Sequence, residues 1–269
     1  MFDLFSDAAK VAAQMEIISS EYGFALWETL YSLALEVLFA YVVGLPLGVL
    51  LVTGEKDGIH PLPKWLMAIL NGIINLLRSV PFLILMIIAL PLSKVIVGTK
   101  VGTAATIPPM VIAAFPLVAR MVESSLREVD QGVVEAAQSM GASAFQIVRK
   151  VLLPEALPSL ISGGTITIAT ILGYGAMAGI IGGGGLGKMA INYGYYNFKF
   201  IVMWAAVIVM YLSWSFCKSF SASFSKSSES PSLIAFFNFS LISWRISPAA
   251  MFTVPMSFLS DIYKSSHES

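Results

Sequence analysis

Apolar runs near twenty residues recur along this 269-residue chain with only short polar turns between them. A run of that length matches the thickness of a bilayer's hydrocarbon core when wound as a helix. The chain is long enough for one or two soluble domains, yet it is 57% hydrophobic and only 12% charged, with mean hydropathy +0.81. A soluble domain carries about twice that charged fraction. The expected class is therefore an all-α, polytopic integral membrane protein. Net charge +0 argues against a nucleic-acid partner. Cys217 is the only cysteine, so one chain holds no disulfide framework. Two distant histidines, His60 and His267, cannot build a metal site with that lone thiol, nor do they leave room for a Ser-His-Asp or Cys-His constellation. Asp3, Asp7, Glu16 and Glu21 make the N-terminus acidic, the opposite of a signal peptide's basic start.

In order, residues 1–24 read as an amphipathic lead-in and the first span as Leu26 to Val52. Gly44 and Gly48 in that span have the small-xxx-small spacing that lets helices approach closely in lipid, and Pro46 between them predicts a kink. Glu28 and Glu36 also lie within it. An acid at that depth is a functional candidate, and Glu36 is expected to face other helices or lie near a boundary. The polar turn Thr53–Lys64 leads to Trp65–Val97, which Arg78-Ser79-Val80-Pro81 interrupts. Arg78 either ends an interfacial helix before a span from Pro81, or sits inside a span from Trp65 to Leu92. The first placement avoids a costly mid-membrane guanidinium. The third span, Ala104 to Val118, carries Pro108, Pro109 and Pro116 and predicts a bent or broken helix. Leu160–Ile181 and Phe200–Phe216 complete five spans.

Between the third and fourth spans lies a segment of mixed polarity, about 121–158. Val133, Val134, Ala137 and Met140 recur at helical spacing, Gly141 suits a helix end, and a second helical run follows over Ala144–Leu152 with Arg149 and Lys150 on it. Ala136 and Ala137 leave little side chain, so another backbone could pack closely there. Pro154 and Pro158 punctuate the entry to the next span.

Glu135-Ala136-Ala137, Gly141 after three residues, and Val151-Leu152-Leu153-Pro154 after nine more resemble the EAA loop of bacterial ABC-importer permeases. Val151 stands where isoleucine is usual. The strings R-S-V-P-F (78–82), V-I-V-G-T (95–99), A-A-F-P-L-V-A-R-M-V-E (113–123) and I-V-R-K-V-L-L-P-E-A-L-P (147–158) are similar to the methionine-importer branch. The resemblance covers about Trp27 to Val209. It implies a five-helix type I importer core, with Glu135, Ala136, Ala137, Gly141, Val151, Leu153 and Pro154 coupling to an ATPase. It also implies a permease homodimer, two copies of a cytoplasmic ATPase that bind ATP and magnesium, and an extracytoplasmic methionine-binding protein. This chain itself would hold no cofactor and no metal. A permease for another polar amino acid (histidine, glutamine or cystine) is the runner-up. An ATPase-independent channel or proton-coupled carrier is a different class, encouraged only by Glu28 and Glu36.

Gly182–Lys188, G-G-G-G-L-G-K, nearly spells a phosphate loop, but Met189 replaces the Ser/Thr that would hold magnesium and the run joins two spans. A flexible turn is expected. Placing the EAA loop in the cytoplasm of an inner-membrane protein puts residues 1–24 outside, and Arg120, Arg127, Arg149 and Lys150 agree with the positive-inside bias. The Ser/Phe-rich stretch 217–269 is atypical of the family. It reads as an extension, as a sixth apolar span near Leu233–Ile246, as disordered, or as a reading-frame accident.

Overall fold

The computed structural model describes residues 8–56 and 58–225. Most of the Ser/Phe-rich stretch, with its candidate sixth span, lies outside the described residues. The described residues form helices and turns: α1 (Ala8–Thr53), α2 (Lys64–Ser79), α3 (Phe82–Val97), α4 (Thr103–Arg127), α5 (Gln131–Ser139), α6 (Ala144–Ile147), α7 (Leu153–Glu155), α8 (Leu157–Ala178), α9 (Gly185–Met189) and α10 (Phe200–Ser225). Two π-helical segments, Val148–Leu152 and Ala190–Tyr196, join α6 to α7 and follow α9.

Three of these helices, α1, α4 and α8 with its 3₁₀ extension to Ile181, are long and apolar enough to cross a bilayer. The pair α2 and α3 passes the same test together, bent by 111° at its break, and Phe200–Phe216 is a shorter apolar helix. An all-α, multi-pass membrane chain follows, because each helix satisfies its own backbone where lipid offers no partner.

The sequence places the break between α2 and α3 correctly. Val80 is extended, φ −77° and ψ 129°, as a residue preceding proline prefers. Arg78 lies in the last turn of α2 at that corner, so no unbroken helix runs from Trp65 to Leu92.

Two expectations need correction. The lead-in is not a separate element: helix runs unbroken from Ala8 through Gly23 and Pro46 to Thr53. At 1.5 Å per residue α1 is about 69 Å long, far more than one hydrocarbon core requires. Its N-terminal half is held by packing, with Ala25 in a buried cluster with Leu186, Met189 and Val202 and with Ile17, Ile18 and Tyr22 against it. Glu21 accepts a hydrogen bond from the Tyr193 hydroxyl at 2.7 Å, and the Gln14 side chain accepts one from the Ile201 N–H at 3.2 Å. The second correction concerns the break expected in α4, which is one continuous helix despite its three internal prolines. Pro109 and Pro116 are buried. Neighbouring helices can compensate a carbonyl deprived of its N–H partner, which is why intramembrane proline breaks fewer helices than in water.

The main core lies along α4. Met110, Ala114, Val118, Val122 and Leu126 are buried in one cluster with Ala40 of α1 and Ile171 of α8. Where α1 crosses α4 the backbones nearly touch. A Cβ built on Gly44 would lie 2.6 Å from the Val118 Cβ and 2.9 Å from the Phe115 carbonyl oxygen, and one on Gly48 would lie 2.6 Å from the Val122 Cβ. Both glycines are thus required by proximity. Gly44→Leu and Gly48→Leu should each cost about 1–3 kcal/mol through overpacking, read as a fall in Tm of the detergent-purified chain, while Gly72→Leu, whose Cβ meets nothing within 4 Å, should leave Tm nearly unchanged.

Candidate functional site

The loop between α4 and α8 is built to hold its shape. Asp130 caps α5, its carboxylate accepting from the Gly132 N–H at 2.8 Å. α5 ends at Gly141, which has φ +77°, a left-handed conformation that glycine adopts without a side-chain penalty. The Ala142 N–H reaches back to the Ala137 carbonyl at 3.1 Å and closes the helix end. A Cβ on Gly141 would meet nothing within 4 Å, so the turn needs glycine for its backbone and not for space. Ser143 then opens α6 with a reciprocal capping box: its hydroxyl accepts from the Gln146 N–H, and the Gln146 side chain accepts from the Ser143 N–H. Each arrangement answers helix-terminal groups that would otherwise lack a partner.

The sequence read Val133, Val134, Ala137 and Met140 as one face. The structure divides them. Val134 and Ala137 are buried in the same cluster that fills the spans, together with Ile147, Leu152 and Ala156. Val133 and Met140 face outward, Met140 being 81% exposed, as is Phe145 at 71%. Within the EAA triplet, Glu135 and Ala136 are exposed and only Ala137 points inward. Gly141 and Pro154 are exposed, and Val151 and Leu153 are half-buried against the core. Arg149 and Lys150 lie exposed on the π-helical turn Val148–Leu152 while Leu152 is buried. The loop thus has a buried apolar base and an outer face carrying Glu135, Ala136, Met140 and Phe145.

A polar network that sequence reasoning did not assemble anchors the root of this loop. The Arg120 guanidinium pairs with Glu123 and donates to Asn71 Oδ1 at 2.7 Å and Asn75 Oδ1 at 2.9 Å. Glu123, itself buried, also accepts from Arg127, which in turn pairs with Glu55 beyond α1. One carboxylate therefore bridges two arginines and ties α4 to α2 and to the α1–α2 connection. The Arg127–Glu55 pair is exposed and contributes little by itself. The Arg120–Glu123 pair is more enclosed, where removing one partner costs more. Asn71 and Asn75, polar residues one helical turn apart in an apolar run, were the available signal.

At the opposite end of α4 the glycine-rich turn is tied to α1. Glu28 accepts from the Gly185 N–H at 2.8 Å and from the Thr103 hydroxyl at 2.9 Å, and Thr29 Oγ1 accepts from the Leu186 N–H at 2.9 Å. The N–H groups of Gly185 and Leu186, which a phosphate would need, are thus committed to the chain's own side chains. The expected turn is present, but it is pinned rather than free. Glu28 acquires a structural role, and Glu36 is buried between helices, 3% exposed.

The sequence family described as "Binding-protein-dependent transport system inner membrane component" matches residues 44–226. A relative from Vibrio cholerae serotype O1, a probable D-methionine transport system permease protein MetI, is 50% identical over 187 residues, 69% of this chain and 82% of that protein. The D-methionine transport system permease protein MetI of Escherichia coli K12 is 47% identical over 154 residues, 57% of this chain and 70% of that protein. Among solved structures, an inward-facing conformation of the MetNI methionine ABC transporter superposes with a TM-score of 0.75 at 39% identity, covering 78% of this chain and 96% of that one. With the family match spanning most of the described helices and half-identity to such a relative, the chain belongs to the binding-protein-dependent transport inner membrane components, and is a transport subunit, not an enzyme.

Proposed function

We propose that this chain is the permease subunit of an ATP-driven importer for D- and L-methionine, working as a homodimer. Two cytoplasmic ATPase subunits, which bind ATP and magnesium, dock on its α4–α8 loop, and an extracytoplasmic binding protein delivers substrate to the other face. The relatives named for D-methionine transport and the likeness to a methionine ABC transporter support the substrate and the ATPase partner. In this reading the loop is cytoplasmic, the start of α1 lies outside, and five spans line up as α1, α3 after an interfacial α2, α4, α8 and α10.

The observation that carries the mechanism is the sharing of one core between loop and spans. Val134 and Ala137 of α5, and Ile147 and Leu152 beyond it, are buried with Val118 and Val122 of α4 and Ile171 of α8. A close-packed interior transmits displacement instead of absorbing it. Movement of a docked ATPase against Glu135, Ala136, Met140 and Phe145 therefore shifts α4 and α8 with the loop. The two ends of the span then report on one two-state equilibrium, as coupling between ATPase and translocation path requires.

The inward and outward halves of the loop should separate on mutation. Ala136→Trp should leave Tm unchanged and abolish ATPase co-purification, whereas Ala137→Trp, in a site only 4% exposed, should lower Tm by overpacking. Equal effects of the two on Tm would remove the division of faces. At Gly141, Asn tolerates the left-handed backbone and Val does not. Gly141→Asn should keep stability close to that of the parent and Gly141→Val should cost about 1–2 kcal/mol. Gly141→Asp should also stay folded, yet uncouple transport or block ATPase docking.

Function is tested by uptake of labelled L-methionine into proteoliposomes holding this chain, its ATPase and the binding protein. Uptake that requires internal ATP and is competed by D-methionine, but not by histidine or glutamine, is expected. ATP turnover without methionine uptake would retain the importer and replace the substrate.

A further inference from the structure

Near the glycine-rich end, α1, α4, α8, α9 and α10 enclose a cavity of about 20 Å³. One water-sized occupant needs about 10–15 Å³. Its polar lining comes from Thr29, Ser32 and Glu36, spaced along one face of α1, and from Thr103 and Thr106 at the start of α4. Among the described residues Glu36, 3% exposed, is the only titratable one lining it. No lysine, arginine or histidine lines it either.

The hydroxyl protons around this cavity are directed elsewhere. Thr29 donates to the Ala25 carbonyl at 2.9 Å, Ser32 to the Thr29 carbonyl at 3.2 Å, Thr106 to the Thr103 carbonyl at 2.8 Å, and Thr103 to Glu28 at 2.9 Å. A hydroxyl oxygen that has committed its proton still has lone pairs. Thr29 already accepts from the Leu186 N–H, which leaves Ser32, Thr103 and Thr106 as the acceptors with most to give. The positive N-terminal end of α4 at Thr103 is answered by Glu28, so it does not compete for Glu36. Such a lining is rich in acceptors and poor in donors, around a carboxylate that an intramembrane site tolerates only with a partner.

The geometry points to a site for one small monovalent cation, sodium in size and hardness, held by the Glu36 carboxylate and the oxygens of Ser32, Thr103 and Thr106. Oxygen-only ligation by carboxylate and hydroxyl groups suits a hard cation, and the enclosure limits it to one. Bound there, the ion would join α1 to the start of α4 beside the glycine-rich turn. It goes beyond the transport reading and does not depend on it.

The test uses the full chain purified in detergent, with Tm measured in sodium chloride and in choline chloride at equal ionic strength and pH. Sodium should raise Tm by at least about 3 °C, and radiolabelled sodium should bind at one per chain. Glu36→Gln should abolish both effects. Ser32→Ala and Thr106→Val should raise the sodium concentration at half-effect several-fold, and they serve as the test if Glu36→Gln does not fold. Equal Tm in the two salts with no bound sodium would overturn the proposal and leave Glu36 as a neutral acid hydrogen-bonded to water. A sodium effect that survives Glu36→Gln would overturn it equally, by placing the ion elsewhere.

Discussion

The contact of α1 with α4 at Gly44 and Gly48 is the interaction from which the remaining architecture follows. Lipid provides no hydrophobic drive between helices, so association depends on packing and on the few polar contacts that reach across. Two glycines one turn apart bring the α1 backbone against Val118 and Val122. With α4 held there, its buried face also receives Ala40 and Ile171, and Pro109 and Pro116 are enclosed instead of freed. The two ends of α4 then carry the two polar assemblies. Glu123 ties Arg120 and Arg127 at the loop end, and Glu28 ties Thr103 and Gly185 at the other.

These assemblies differ in what they secure. At the loop end, charge joins three segments around a root from which a structured loop projects, with Asp130, Gly141 and the Ser143–Gln146 box closing each helix terminus within it. At the other end, a carboxylate and a hydroxyl of α1 fix a turn that would otherwise be the softest part of the chain. One long helix therefore spans both, and its N-terminal half is packed in place by Tyr193, Leu186 and Val202.

How much of this could be read from sequence depended on the range of the physics involved. The long apolar helices were legible because length and hydropathy announce them residue by residue, and the corner after Arg78 was legible because proline restricts its neighbour directly. The Glu-Ala-Ala motif placed Glu135, Ala136, Ala137 and Gly141 in one segment, but spacing could not say which alanine faces the core. That choice is made by Val118, Val122 and Ile171 on other helices. The continuity of α1 through Glu16, Ser19, Ser20 and Glu21 was hidden because those polar residues look like a boundary, while the contacts that keep them helical lie more than 170 residues away. Arg120 meets Asn71 and Asn75 across 49 and 45 residues. That the prolines of α4 do not break it was not legible, because their cost is intrinsic and its compensation is tertiary.

The π-helical turn Val148–Leu152 has a consequence for how this loop tolerates change in length. A π turn is an α-helix holding one residue more than its ladder needs. It sits between the fixed cap at Ser143 and the buried Leu152, so the surplus residue is absorbed there and nowhere else in the loop. Removing one residue there could relax the turn to ordinary α geometry and leave what lies beyond it in phase. The same deletion in a regular α-helical turn of the loop would rotate everything beyond it by about 100° and carry Leu152 out of the core. The bulge thus preserves the angular phase between the outer face of the loop and the helix that follows it, as one link of slack in a mechanical linkage.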